Sequence, residues 1–111
     1  VPVFEIRSAG GPGTDMLIRN AALAQALART LGAGPVALMR GHGAVVVAGG
    51  LPEAVFRSVY TEVNARLQAQ AMALGGPVTY LDVEEAKKAQ ASLAGTIPRP
   101  WELWKRKALA R

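Results

Sequence analysis

Hydrophobic positions along this chain follow two rhythms, one of two residues and one of three to four, and glycine or proline separates most of the segments. Residues 1–6, VPVFEI, place apolar side chains at Val1, Val3, Phe4 and Ile6, with Pro2 where a strand can start, and predict a short strand. The stretch SAGGPGTD breaks that pattern and reads as a loop in which Thr14 or Asp15 can cap a following helix. From Met16 to Leu31 the apolar residues Leu17, Ala21, Ala24, Leu27, Ala28 and Leu31 recur at helical spacing, and Gly32, Gly34 and Pro35 stop the run. Val36–Met39 and Ala44–Ala48 are short valine-rich runs and predict two strands joined by Arg40–Gly43.

The second half of the chain is helical in pattern. After Gly49 and Gly50, Pro52 suits a first helical position, and Val55, Val59, Val63, Leu67, Ala71 and Leu74 form a stripe that predicts one helix from Pro52 to Leu74. VTYL is short for a strand. Asp82 followed by Glu85 is a capping-box pattern and starts a further helix at Val83 that Gly95 ends. Beyond the stiff connection at Pro98 and Pro100, Trp101 to Ala110 is amphipathic, so that 98–111 is expected to form a C-terminal amphipathic helix whose Trp101 and Trp104 anchor it to the parent domain or to a neighbouring subunit.

Composition narrows the classes. A chain of 111 residues suits one domain with one core. An apolar share of 50% against 19% charged residues argues for a packed unit rather than disorder. The absence of cysteine excludes a disulfide framework and a thiolate site, and makes the cytoplasm the default compartment. No apolar run approaches the roughly 18 residues a membrane span requires, and VPVFEIRSAGG has no basic leader, so neither membrane insertion nor secretion is expected. A first residue that is valine and already strand-like suggests a chain cut from something longer. The net charge of +5 is concentrated at the end, where Arg99, Lys105, Arg106, Lys107 and Arg111 face only Glu102. Without an interleaved aromatic motif this reads as a solvated helix face, and nucleic acid is not expected as a partner. GGPGTD matches neither common glycine-rich phosphate-loop spacing, and Asp15 would repel an anion there.

The candidate chemistry lies in VALMRGHGAVVVAGG. His42 is the chain's only histidine, and it stands between Gly41 and Gly43 at the junction of two apolar runs. Two readings are open: a structural, hydrogen-bonded turn histidine, or a ring that the small neighbours leave free to reach a metal or a substrate. A catalytic zinc usually takes three protein ligands. Within the chain only Asp15, Asp82 and the glutamates could join His42, none at a ligand-like spacing, and Asp82, Glu84 and Glu85 are better explained as helix cap and first-turn charges.

The segment VALMRGHGAVVVAGGLPEAVFRSVYTEVNARLQAQAMALGG, in its strand, R-G-H-G, strand, G-G-x-P-E-A order, resembles the C-terminal half of the class II aldolase/adducin domain, with the likeness running from about Val1 through Gly76. The resemblance implies an α/β fold, an αβα sandwich with a central β-sheet, incomplete in this chain, with 1–111 forming the C-terminal part of a single domain. It implies that His42 is a metal ligand, to Zn2+ or another divalent ion, the other ligands and the acid-base residue lying outside this segment. It implies a zinc-dependent lyase that cleaves a carbon-carbon bond in a small hydroxy-carbonyl substrate of the sugar or sugar-phosphate kind, active only when complete. It also implies a homo-oligomer, commonly a tetramer. Family members often carry asparagine where this chain has Gly41, so any contact made by that amide is absent. The alternatives are a non-catalytic adducin-like binding or assembly domain, and a decarboxylase or epimerase at the same metal.

Overall fold

The computed structural model describes residues 1–110, so the part of the basic-tail and terminal-helix expectations that rests on Arg111 lies outside the described residues. The chain is a small α/β structure with a three-stranded mixed sheet and, among the described residues, five helices. It divides into two compact units, Val1–Ala48 and a second that begins at Gly49.

The first unit is built around β1 (Val3–Phe4), α1 (Arg7–Gly10), α2 (Ala21–Leu31), β2 (Val36–Met39) and β3 (Gly43–Val46). The sheet order is β1-β2-β3, with β1 parallel to β2 through Val3↔Leu38 and Phe4↔Met39, and β3 antiparallel to β2 from Val36↔Val46 to Met39↔Gly43. A parallel pair requires a crossover, and α2 supplies it, packing on both β1 and β2. The four buried apolar side chains among the described residues, Phe4, Ile6, Leu23 and Ala37, belong to this unit. Phe4, Ile6 and Leu23 touch one another, and each is worth roughly 1.5–3 kcal/mol of burial.

Two expectations are corrected here. The loop expected from Ser8 onward begins instead with a helical turn, in which Gly10 N–H donates to Ile6 O at 2.8 Å. The helix expected from Met16 starts only at Ala21, and its cap is Asn20, whose side chain accepts from Leu23 N–H at 2.9 Å. Thr14 and Asp15 are spent on tighter local turns, accepting from Met16 N–H at 3.2 Å and Leu17 N–H at 3.1 Å. Met16 and Ile18 pack from the loop against the buried cluster.

The second unit holds α3 (Leu51–Ala73), α4 (Val83–Ala94) and α5 (Pro98–Leu109). Pro52 lies in the first turn of α3, and the Glu53 carboxylate accepts from Gly49 N–H at 3.2 Å, satisfying a donor ahead of the helix. The capping box of α4 forms as the sequence indicates: Asp82 accepts from Glu84 and Glu85 N–H, and Glu85 accepts from Asp82 N–H at 2.9 Å. Residues 78–82 form no strand. The last helix opens at Pro98, three residues before Trp101, because both prolines occupy its first turn, where a missing N–H leaves no intrahelical bond unmade. It packs on α3 through Trp104, whose ring lies 6.4 Å from that of Phe56, which in turn stacks at 4.5 Å on Tyr60. Of the basic residues at the end, Lys105 pairs with Glu102 at 2.8 Å and lies 5.6 Å from the Trp101 ring. Arg106 and Lys107 stand in the last turn, where they complement the helix dipole. No helix among the described residues is long and apolar enough to cross a membrane.

Candidate functional site

β2 and β3 are joined by three residues, Arg40, Gly41 and His42, closed by His42 N–H donating to Met39 O at 3.0 Å. Gly41, the third residue of the turn Met39–His42, has φ 66°, a backbone conformation that favours glycine. Space at this glycine is tight as well: a Cβ here would stand 3.3 Å from Cε of Met16, which would have to give way by a few tenths of an ångström. Met16 itself has φ 69°, the only non-glycine residue among those described with positive φ, in a region that disfavours L-residues by about 1–2 kcal/mol. A strained methionine and a turn glycine therefore meet face to face at the base of the corner.

The corner is pinned from a third segment. Arg40 N–H donates to Phe4 O at 3.1 Å, continuing the parallel ladder, and its guanidinium pairs with the Glu5 carboxylate at 2.5 Å. The same carboxylate oxygen accepts from Arg7 at 2.8 Å, and the second accepts from Arg7 N–H at 3.0 Å. The hydrogen bonds from Arg7, followed by those from Arg40, hold the Glu5 carboxyl at about 2, well below its ordinary 4.5. On its other side the Arg40 guanidinium meets Met16 Sδ at 3.6 Å.

His42 projects from this base and is exposed. Among the described residues it is tied in only through its backbone N–H, so neither ring nitrogen is engaged. The ring is not a hydrogen-bonded turn histidine in this structure; it is a free donor on a braced backbone.

Among the described residues no set of metal-ligating side chains gathers with it. Each of the chain's 8 acidic residues already has a partner. Glu5 is held by Arg7 and Arg40, Asp15 by Arg19, Glu53 by Arg57, Glu62 by Arg66, Glu84 by Lys87 and Glu102 by Lys105. Asp82 and Glu85 cap α4. The Asp15 carboxyl is pulled below its usual range by Arg19 and by Leu17 N–H, as befits a turn residue and not a ligand in waiting. No group of three or more histidine, cysteine or acidic residues that could hold a metal exists among the described residues. The divalent ion implied by the resemblance thus finds one suitable donor, His42, and not a complete set. Glu5, Met16 and Arg40 escaped the reading of the sequence as parts of this corner. Arg40 stood in view beside Gly41, but its partners are brought to it only by strand pairing and loop packing.

Comparison with known proteins agrees with this order of elements. Residues 4–69 match the family model described as Class II Aldolase and Adducin N-terminal domain, a match that takes in all of the sheet except Val3, the His42 corner and most of α3. The decarboxylase tropJ of Talaromyces stipitatus is 34% identical over 110 aligned residues that cover 83% of this chain and 41% of that protein. A 3,4-dihydroxyphthalate decarboxylase of Terrabacter sp. is 33% identical over 77% of this chain and 36% of its own length. One of the same name from Arthrobacter keyseri is 36% identical over 68% and 32%. The chain spans less than half the length of each of these relatives.

Proposed function

Because this chain belongs to the class II aldolase and adducin family, we propose that the protein is a decarboxylating lyase acting on a small hydroxylated carboxylic acid, with His42 supplying one ligand to a divalent metal. The observation that carries the choice of reaction is that the three relatives described above are named as decarboxylases, two of them for 3,4-dihydroxyphthalate. The observation that supports the role of His42 is its exposed, unengaged ring on a corner fixed from three segments.

In this reading the remaining metal donors and the acid-base residue lie beyond the described residues, within one αβα sandwich domain of which 1–111 is a part. The bound ion supplies Lewis-acid stabilisation for the electron pair left behind when the carbon-carbon bond breaks. The chain's own contribution is placement. β2 and β3 fix where the His42 backbone stands, Gly41 lets the turn close, and the small flanking glycines keep bulk away from the ring. Assembly into a homo-oligomer completes the proposal.

Aldol cleavage of a hydroxy-carbonyl substrate is the second reading. It uses the same ligand and has the family match in its favour, but no relative described here bears an aldolase name. The two separate on products. Incubating the full-length protein with a divalent metal and 3,4-dihydroxyphthalate, with carbon dioxide and the monocarboxylic acid measured, is expected to yield both in equal amounts. An inert dihydroxyphthalate together with aldehyde release from a sugar-phosphate would give the aldolase reading instead. Full-length protein that turns over neither and binds no metal would leave an adducin-like assembly domain.

A further inference from the structure

We propose that Arg40 is a positioning residue for His42, its guanidinium clamped between Glu5 and Met16 so that the turn cannot swing about the ends of its strands. The inference rests on His42 being a metal ligand. Two strands and a single turn hydrogen bond set the register of a hairpin, but they leave its tip able to rock, because nothing in the hairpin itself opposes that motion. Here opposition comes from outside. Glu5, just past β1, takes the Arg40 guanidinium at 2.5 Å, and Met16, from the loop before α2, meets it at 3.6 Å and sets its methyl against Gly41.

Two segments from elsewhere in the sequence, Phe4–Glu5 and the Met16 loop, thus converge on the two residues preceding His42, while His42 itself is left uncommitted. Met16 takes up its place with a backbone conformation that only surrounding contacts sustain in a non-glycine residue. Arginine suits the clamp because its planar fork offers donors in two directions at once, which the point charge of lysine does not. Groups hydrogen-bonded to a metal-ligating side chain typically alter affinity by about 10–100-fold when removed, and Arg40, which reaches His42 only through the backbone, is expected to act below that range.

The test is a cobalt titration of the full-length protein, stripped of metal, followed by the visible absorption of bound Co2+ and accompanied by the thermal midpoint of the metal-free form. Arg40→Met and Glu5→Gln are each expected to weaken Co2+ binding by up to about 10-fold and to alter the band shape. The double variant is expected to bind no more weakly than the poorer single one, since both remove the same clamp. Arg40→Lys answers the same question, with an intermediate loss expected, should Arg40→Met fail to fold. Wild-type affinity and an unchanged spectrum in the Arg40 and Glu5 variants, whatever the thermal midpoint does, would overturn the proposal. His42→Ala separates the two levels. If it abolishes binding while the Arg40 variants bind normally, only the clamp is wrong; if it binds as wild type, the ligand assignment fails and the clamp's purpose fails with it.

Discussion

Met16 and Gly41 are fitted to each other: a Cβ at Gly41 would stand 3.3 Å from the methionine methyl, a tight contact, and both residues hold a positive φ. The contact joins the loop ahead of α2 to the hairpin turn that carries His42. It makes Gly41 a residue chosen for conformation and for space together, although only the first demand is visible in a sequence.

Gly41→Ala should therefore destabilise the protein by about 1–2 kcal/mol from its left-handed backbone alone, with a further increment as Met16 is displaced. Urea unfolding of wild type and variant measures this. In a Met16→Ala background, Gly41→Ala should cost only the backbone part of its penalty, because the crowding partner is gone. A Gly41→Ala protein as stable as wild type would mean that the turn adopts another shape.

Acid should loosen the first unit in a defined window. The Glu5 carboxyl is held at about 2 against an ordinary 4.5, by Arg7 first and Arg40 second, so the folded state binds its proton less readily than the unfolded chain. Its stabilising contribution is complete above about 4.5 and fades as pH falls toward 2, and Asp15, lowered by Arg19, shifts in the same sense. Thermal midpoints measured from pH 6 down to pH 2 should fall less steeply in Glu5→Gln than in wild type across that window. Both carboxylates are solvent-facing, so the difference should shrink in high salt.

The cap of α4 offers a local test. Asp82→Ala removes the acceptor for two first-turn N–H groups and breaks the reciprocal bond with Glu85, and should cost about 1 kcal/mol. Helix content by far-ultraviolet circular dichroism should drop with it, whereas Asp82→Asn, which retains an acceptor, should lose less.

Much of this architecture could be read from the chain, and the limits follow from physics. The β2–β3 hairpin, α3 and the Asp82–Glu85 cap rest on short-range signals: valine-rich runs, a glycine turn, helical spacing and a capping pair. The start of α2 is not legible because Leu17 stands four residues before Ala21 and so extends the helical stripe backward, yet tertiary packing draws Met16 and Ile18 to the Phe4–Ile6–Leu23 cluster in a loop, leaving Asn20 as the cap. The four-residue α1 carries no periodicity long enough to detect. His42 was legible as the candidate because it is alone between glycines. Its support by Glu5 and Met16 was not, since parallel pairing of β1 with β2 is what sets Glu5 beside Arg40.

The claim on which the account rests is that His42 is a ligand in a metal site, and metal content by mass spectrometry of purified full-length wild type and His42→Ala measures it most directly. The account predicts close to one divalent ion per wild-type subunit and nearly none in the variant, with the far-ultraviolet spectrum of the two unchanged. A His42→Ala protein that retains its full complement of metal would contradict it.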